Sequence, residues 1–497
     1  MLLSHEWLRE HGVSIASEEL PERILQIGEG NFLRGFVDWL LYQLMKNNKF
    51  QGKVVIATPL PSGAKKIQEI NDQEGLYTVW LRGLEEGVVV DRKEIMQSVS
   101  RGIDPYEQWE DFLQCARNPQ IDIVISNTTE AGLSYTREPY DRQACPTTYP
   151  AKLTAYLYER FLAFNGSDAH GLDVVPCELV ENNGDLLREL VLQCAKDWEL
   201  PREFRNWVSL HSHFYNTLVD SIVTGFTTDG LAEDSRDVAY DDRLGIIREP
   251  FYLWVIQGHP RLKNKLDFPS LGLNVRYVED VAPFRLIKVR ILNGTHTALA
   301  GLSYLARIET VKEAVTGEVM GRFVRELMQR EIIPALAAQS VAEAEAQSFA
   351  EAVLERFSNP LLRHEIESLQ LNGLSKIRVR LLPTMMDYLR LNRDLPKLMV
   401  MAIAGQLLYY KNADDPAEEW VIRDDETHVR AVRSAWELER TEGLRASVAR
   451  ILSLVEVWDQ DLSRVEGMTD LIEQSIRALR GGVLQALSAG VQEQVGR

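Results

Sequence analysis

The first half of the chain alternates short apolar runs with longer segments of helical periodicity. The apolar runs are rich in Val and Ile and end in glycine or small polar residues, which is typical of buried strands. We predict such strands at residues 23–28, 53–59, 121–126 and 172–179. Amphipathic helices are predicted at 31–47, 106–117, 151–164 and 185–198, with a hairpin that turns near residues 85–87. This βαβ rhythm predicts an α/β fold with a Rossmann-type, doubly wound and mostly parallel sheet.

The pattern changes from about Pro283 onward. Apolar residues then recur every three to four positions over long segments, which predicts a mainly α-helical half. The predicted helices lie at 284–307, 311–330, 340–357, 384–392, 396–411, 426–440, 445–456 and 467–488. Because a single hydrophobic core does not extend over a chain of 497 residues, we expect two domains, an α/β domain at 1–280 and a helical domain at 281–497.

The composition narrows the class of partner. Lys and Arg number 55 against 73 Asp and Glu, a net charge of −18, whereas nucleic acids and anionic membranes are bound by cationic surfaces. We therefore expect a small-molecule ligand and neither of those partners. The four cysteines form no C-x-x-C pair and no uncharged apolar run approaches about 20 residues. We expect reduced thiols, no membrane span and a cytoplasmic location, and the oligomeric state stays open.

The stretch ILQIGEGNFLRGF, residues 24–36, carries the first candidate site. An apolar strand runs into Gly28 and Gly30 and a long helix follows, which is the context of the dinucleotide-binding G-x-G-x-x-G turn. Leu33 stands where the third glycine of that motif is expected. Two glycines alone are a weak signal, so the stretch is either a cofactor loop or an ordinary strand–helix turn.

The choice between NAD and NADP is not decided by the next strand. In NAD-dependent folds that strand ends in an acid that binds the ribose, but here no acid follows until Glu69. Lys65 and Lys66 lie in between, and they either meet the 2′-phosphate of NADP or are exposed helix residues.

Polar residues follow the strand predicted at 121–126. Thr128, Thr129 and Glu130 come at the edge where doubly wound sheets bind ligands. We expect them at the nicotinamide end of a cofactor; the alternative is that they only form a turn.

Two asparagines also follow predicted strands. Asn183 precedes Gly184, and Asn-Gly is a common turn dipeptide. Asn216 precedes an apolar run that reads as a helix, which it would cap. Both are candidates for the cofactor or catalytic site, with these structural roles as the alternatives.

The segment PFRLIKVRILNGTHTALAGLSYLAR, residues 283–307, reads as one long helix with a lysine on a partly apolar face. On an α-helix, Asn293 lies about 140° and His296 about 80° around from Lys288, so all three share one side. A buried lysine with a lowered pKa suits proton transfer, and nearby Arg285 and Arg290 would lower it further. The alternative is a structural lysine beside a core histidine.

A basic segment, LSKIRVRLLPTMMDY at residues 374–388, stands out in an acidic chain. Read as an extended strand before Pro383, it would place Lys376, Arg378 and Arg380 on one face. Such a face would bind a carboxylate or a phosphate. The alternative is a solvated basic surface.

Together these motifs resemble the mannitol dehydrogenase family, the polyol-specific long-chain dehydrogenases. Lys288-x4-Asn293-x2-His296 resembles its catalytic signature, and GEGNFLRG resembles its G-x-G-x-F-x-R loop. Further matching segments are SNTTEAG, TTYPAKLTAYLYERF, EPFYLWVIQG and KVRILNGTHTAL. Most of the chain is covered, and the match is best to the branch that interconverts keto-uronates and aldonates.

The resemblance implies metal-independent hydride transfer with NAD. It implies Lys288 as general acid/base, with Asn293, His296 and Asn216 as its catalytic partners. In the family's loop the resemblance matches Gly28, Gly30, Phe32 and Arg34. With the residues that follow the predicted strands, the candidate cofactor-binding residues are Gly28, Gly30, Asn31, Phe32, Arg34, Thr128, Thr129, Glu130 and Asn183. Two positions depart from the family pattern: Ser221 replaces an arginine, and Arg285 stands where some relatives carry an acid.

The expected function is therefore reduction of a sugar keto-acid whose carboxylate is held by Lys376, Arg378 or Arg380. Within the same chemistry, another keto-uronate or the fructose–mannitol pair are alternatives. A non-catalytic dinucleotide sensor is the alternative from a different class.

Overall fold

The computed structural model describes residues 1–15, 20–225, 239–412 and 421–495. The chain divides into two compact units. The first comprises Met1–Arg82 and Val89–Val281, and the second comprises Gly83–Val88 and Ala282–Arg497. No helix in the described ranges has the length and apolar character needed to cross a membrane.

A six-stranded parallel sheet organises the first unit. The strands of the chain are β1 (Glu22–Ile27), β2 (Lys53–Ala57), β3 (Tyr77–Glu85), β4 (Val88–Met96), β5 (Val99–Ile103), β6 (Ile123–Ser126), β7 (Asp173–Pro176), β8 (His213–Phe214), β9 (Asn216–Asp220), β10 (Val223–Gly225), β11 (Ile246–Arg248), β12 (Leu253–Gln257) and β13 (Val275–Val278). The large sheet has the order β5-β2-β1-β6-β7-β8. Because the order runs outward in both directions from the β1–β6 pair, that pair marks the point at which such sheets bind ligands.

Helices cover both faces of this sheet, which confirms the doubly wound prediction. They are α1 (His5–Glu10), α2 (Asn31–Gly35), α3 (Val37–Lys46), α4 (Ala64–Asp72), α5 (Trp109–Arg117), α6 (Tyr149–Ala163), α7 (Asn183–Asp197), α8 (Arg202–His211) and α9 (Arg261–Lys265). Alternate strand residues enter two separate cores: Ile24 and Val54 pack on one face, Leu25 and Val55 on the other. Burial on both faces explains why these strands are apolar at nearly every position.

Two smaller sheets accompany the large one. Their orders are β10-β11-β3-β4 and β13-β12-β9. The β3–β4 connection is the predicted hairpin. Asn216 begins β9, so the apolar run after it is a strand and our reading of it as a helix was wrong.

The second unit is helical, as predicted. Its helices are α10 (Ala282–Ile287), α11 (Gly294–Leu305), α12 (Val311–Thr316), α13 (Glu318–Leu327), α14 (Ile333–Leu336), α15 (Glu343–Phe357), α16 (Ile366–Leu369), α17 (Gly373–Lys376), α18 (Leu382–Asn392), α19 (Lys397–Asn412), α20 (Glu426–Glu437), α21 (Glu439–Glu442), α22 (Leu444–Leu452), α23 (Val455–Trp458), α24 (Met468–Gly481) and α25 (Val483–Val495). The basic segment 374–388 therefore lies in helix, and our prediction of an extended strand was wrong.

In the described part of the second unit, three π-helical turns interrupt these helices: π1 (Lys288–Asn293), π2 (Met328–Ile332) and π3 (Ile377–Leu381). The segment 283–307 is thus α10, π1 and α11 rather than one α-helix. Two of the turns come just before a proline, Pro334 after π2 and Pro383 after π3. Proline lacks an N–H and its ring displaces the carbonyl of the preceding turn, which a wider turn accommodates. π1 packs against both other π turns.

Candidate functional site

The glycine turn after β1 lies at the switch point of the large sheet. Gly28 has φ 128°, and a Cβ there would lie 2.8 Å from the backbone oxygen of Asn127, the residue that follows β6. A Cβ at Gly30 would meet nothing within 4 Å. The turn thus has one position that only glycine fits, followed by an exposed one at which backbone is open to a ligand. This cradle fits the pyrophosphate of a dinucleotide.

Arg34 stabilises this turn through hydrogen bonds from inside the protein. Its side chain is buried, and it donates from Nε to the Glu29 carbonyl at 3.0 Å and from a terminal nitrogen to Asn31 Oδ1 at 2.8 Å. A third bond reaches the Leu244 carbonyl. Phe32 stacks on Phe36 and is half-buried. We therefore assign Arg34 to holding the turn in shape rather than to direct contact with the cofactor.

A buried acid, Asp38, lies behind the same turn. Its Oδ2 is 3.3 Å from the Tyr77 hydroxyl and 3.4 Å from the Gln26 amide nitrogen, which also donates to the Gly28 carbonyl. Burial raises the pKa of Asp38 to about 7, although its hydrogen bond to Gln26 and the nearby Arg34 charge oppose the rise.

We predict that Asp38→Asn removes a pH dependence of stability. The folded protein holds a proton on Asp38 up to about pH 7, whereas the unfolded chain loses it near pH 4, its ordinary pKa being about 3.9. Native stability therefore falls as pH rises through this window, by up to about 1.4 kcal/mol per pH unit. When melting temperatures are measured from about pH 4.5 to 7.5, the melting temperature of Asp38→Asn should rise relative to that of the wild type as pH rises. The exposed Glu107→Gln variant is the control, and parallel curves for wild type and Asp38→Asn would contradict the prediction.

The polar residues after β6 occupy different environments. Thr128 donates from its backbone N–H and its hydroxyl to one carboxylate oxygen of Glu178, at 2.9 and 3.0 Å. Thr129 and Glu130 are exposed, and Thr129 has φ 69°, an unusual backbone for a β-branched residue. Such strain is frequent at ligand sites. Thr129 and Glu130 thus remain candidates for ligand contact, whereas the Thr128 side chain is bound to Glu178.

The side chains of both predicted asparagines are hydrogen-bonded within the first unit. Asn183 is fully buried, and its amide bonds with the Pro176 carbonyl and with the backbone N–H of Thr217. We therefore leave Asn183 out of the cofactor site proposed below. Asn216 accepts from the backbone N–H of Asp185 at 3.0 Å and donates to its carboxylate at 2.8 Å. One amide hydrogen of Asn216 is thus used, and the group has a second.

The lysine pair after β2 lies on α4. Lys65 is exposed, and Lys66 donates to Glu69 at 2.6 Å. Glu69, the first acid after that strand, is thus an ion-pair partner on the same helix.

The predicted catalytic residues Lys288 and Asn293 fall on π1. Lys288 is its first residue and Asn293 its last, and the N–H of Gly294 bonds to the carbonyl of Val289, five residues back. Because a π turn spaces bonded residues five apart, Lys288 and Asn293 lie closer to one side than the 140° of an α-helix allows. Both side chains are half-buried. Arg290 pairs with the buried Asp387 at 3.1 Å, so its charge is balanced there.

His296, one turn further on, lies among basic groups. Its ring stacks on Phe357 with centroids 4.1 Å apart and meets His364 edge-on at 5.0 Å. Its Nε2 is buried, with no hydrogen-bond partner among the residues that the structure describes. Burial lowers the pKa of His296 far below its usual range. The charges of His364, Arg356, Arg380 and Lys376 lower it further.

The helical geometry separates the three basic residues of the segment 374–388. Lys376 and Arg380 are four residues apart, on one face. Burial lowers the pKa of Lys376 to about 8, the Arg380 charge adds to the effect, and the Asp424 charge opposes it. Arg380 donates to the Thr297 hydroxyl at 3.3 Å. Arg378 instead pairs with Asp459 at 3.2 Å, so only Lys376 and Arg380 join the cluster around His296.

The comparisons with known proteins identify the family of the chain. The Rossmann domain of the mannitol dehydrogenase family matches residues 22–270, and its C-terminal domain matches residues 280–480. The chain belongs to the mannitol dehydrogenase family. It is therefore a dehydrogenase that acts on a CH–OH group, which sets the sensor alternative aside.

Several curated relatives in this family cover nearly the whole chain. Altronate oxidoreductase of Halalkalibacterium halodurans is 41% identical over 97% of this chain and 95% of its own length. Altronate oxidoreductase of Bacillus subtilis is 38% identical over 91% of this chain and 92% of its own length. That of an Escherichia coli strain is 38% identical over 96% of this chain and 97% of its own length.

Two solved dehydrogenase structures share the fold. Pseudomonas fluorescens mannitol 2-dehydrogenase, in a ternary complex with NAD and D-mannitol, aligns over 100% of both chains with a TM-score of 0.69 and 19% identity. A substrate-free D-sorbitol dehydrogenase aligns over 98% of this chain and 100% of its own, with a TM-score of 0.79 and 20% identity.

Three residues of these environments were not predicted. Glu178 is buried at the end of β7, where burial raises its pKa and where it joins Thr128 to Ser126. Arg356 and His364 lie more than fifty residues beyond His296 in sequence, in no motif that we recognised. Only the packing of α15 and the segment after it against α11 and π1 brings them together.

Proposed function

We propose that this enzyme interconverts D-tagaturonate and D-altronate with NAD(H), in the breakdown of hexuronates such as galacturonate. The observation that carries the proposal is the pair of half-buried cations, Lys376 and Arg380, beside His296 in a chain of net charge −18. Partly buried cations attract an anion more strongly than they attract a neutral polyol. The relatives named altronate oxidoreductase support the choice of an acid sugar.

The first unit would bind the cofactor at the carboxyl ends of β1 and β6. Gly28 and Gly30 shape the turn for a pyrophosphate, with Asn31 and Phe32 beside it. Thr129 and Glu130 would line the nicotinamide end, with Thr128 held in place by Glu178. We choose NAD because a fold neighbour was solved with NAD and because Lys66 is bound to Glu69.

The reaction would be a proton transfer coupled to hydride transfer. A bound nicotinamide supplies a hydride to the ketone carbon or accepts one from the alcohol carbon. Lys288, as ammonium, would protonate the oxygen as it becomes an alkoxide, and in the reverse direction it would take that proton back. The Asn293 amide would stabilise the negative oxygen, an effect worth about 3 kcal/mol for a good donor, and Asn216 is a secondary candidate for the same task.

The remaining groups would orient the substrate. Lys376 and Arg380 would hold the carboxylate, and His296 would hold a hydroxyl of the sugar next to the reacting carbon. Arg378 takes no part, because it is bound to Asp459.

The test is oxidation of NADH by a panel of ketoses, repeated with NADPH. We expect tagaturonate to give the highest kcat/KM and NADPH to be used poorly. A preference for fructuronate would make this a fructuronate reductase. If kcat/KM for fructose equals that for tagaturonate, the enzyme is a mannitol 2-dehydrogenase and the acid-sugar assignment is refuted.

A further inference from the structure

His364 occupies a place in the second unit that is set by the backbone. It lies between α15 and α16, where its carbonyl accepts from Val311 N–H at 2.9 Å and where Thr310 and Glu365 form an antiparallel bridge. The Ile366 N–H donates to the Glu309 carbonyl at 2.8 Å. Because these bonds hold the residues on either side, the imidazole has a defined position beside His296.

His364 is partly removed from water and lies beside a histidine that has basic neighbours. His364 is half-buried, and burial lowers its pKa. It faces the edge of the His296 ring, whose other neighbour is the buried Phe357. Arg356, Lys376 and Arg380 lower the pKa of His296, the ring that His364 contacts.

Lys376 and Arg380 each already donate to a group of the protein. The Lys376 ammonium donates to the Leu369 carbonyl at 2.9 Å, and Arg380 donates to Thr297. A carboxylate entering this cluster would thus gain from a further donor. A neutral imidazole offers one N–H and its protonated form offers two, and a nearby carboxylate favours the protonated form.

We propose that His364 is a specificity-determining residue that donates a hydrogen bond to the carboxylate of the sugar acid. It thereby favours acid substrates over neutral ketoses of the same configuration. A neutral ketose gives His364 no charged acceptor, so only the acid gains from this contact. This inference rests on the proposed function, because it assumes that a sugar acid enters the cluster.

The experiment compares an acid and a neutral substrate in two variants. His364→Phe keeps a ring against His296 but removes the donor, and His364→Gln keeps a donor. The control is Arg363→Gln, which removes a neighbouring charge that is exposed and paired with Glu365 and Glu309. We would measure kcat/KM for tagaturonate and tagatose, the dissociation constants of NADH and of altronate on the NADH-loaded enzyme, and the melting temperature.

The expected result is a selective loss. His364→Phe should weaken altronate binding and lower kcat/KM for tagaturonate by about tenfold or more, since a hydrogen bond to a charged group is lost. Turnover of tagatose, NADH binding and the melting temperature should stay at wild-type values. His364→Gln should recover part of the loss, and Arg363→Gln should behave as wild type.

Other outcomes overturn the inference. Equal losses of kcat/KM with the acid and the neutral substrate in His364→Phe would show a structural role. Unchanged kcat/KM for tagaturonate in that variant would show that His364 does not contact the carboxylate. If the wild type oxidises NADH with neither substrate, the proposed function fails. The inference about His364 is then judged from the binding of altronate alone. Altronate that binds the wild type but not His364→Phe would keep the inference. Altronate that binds neither, or binds both equally, would refute it.

Discussion

Lys288→Ala is expected to lower kcat for tagaturonate reduction by roughly a thousandfold while the dissociation constant of NADH stays unchanged. Lys288 begins the π1 turn of the second unit, whereas the proposed cofactor turn is in the first. The substitution removes the group that would protonate the developing alkoxide, and hydride transfer without that proton leaves a costly anion. The measurement is the steady-state rate of NADH oxidation together with an equilibrium titration of NADH.

The control for this prediction is Lys312→Ala, since Lys312 is an exposed lysine of the same unit, on α12. Lys288→Met adds a variant that keeps most of the side-chain volume. Both Lys288 variants should lose activity and Lys312→Ala should keep it. Either Lys288 variant retaining more than about a tenth of the wild-type kcat would show that another group supplies the proton.

The second large effect is expected at the glycine turn, where the two glycines should respond differently. Gly28→Ala places a Cβ 2.8 Å from the Asn127 backbone oxygen at a φ of 128°. Neither strand end can move freely, so we expect a loss of roughly 2 kcal/mol or more in stability. The melting temperature and NADH affinity should both fall.

Gly30→Ala is the matched substitution. No atom lies within 4 Å of the added Cβ, and the backbone there has φ −65°, so the melting temperature should be unchanged. The methyl group would nevertheless stand where the pyrophosphate approaches the backbone, so NADH binding should weaken by about tenfold or more. Normal NADH affinity in Gly30→Ala would place the pyrophosphate elsewhere.

Most of the α/β half could be predicted from sequence. The strands β1, β2, β6 and β7 are buried on both faces, so their apolar character is continuous and their positions are visible in the residue pattern. The helical periodicity after Pro283 was also a reliable signal, because each helix buries one face.

The errors came from places where propensity and packing disagree. Basic and apolar residues alternate around Lys376, Arg378 and Arg380, which is the period-two pattern of a strand. The segment is nevertheless helical, and its π3 turn packs against π1. The run after Asn216 suits a helix or a strand by composition, and pairing with β12 decides for the strand. Asn183 and Gly184 form a typical turn dipeptide, and the burial of Asn183 beside Thr217 depends on tertiary packing that the sequence does not show.

The sequence by itself determined the four central strands of the large sheet and the helical second half, because these follow from local periodicity. The need for glycine at position 28 became visible only in the structure, where a Cβ would meet the Asn127 backbone oxygen. Only the tertiary structure decided which basic residues surround His296. Arg378 turns to Asp459 while Lys376 and Arg380 join Arg356 and His364, residues of other segments. Such a cluster depends on helix register and on π turns, which are set by packing between segments distant in sequence, and no local pattern encodes it.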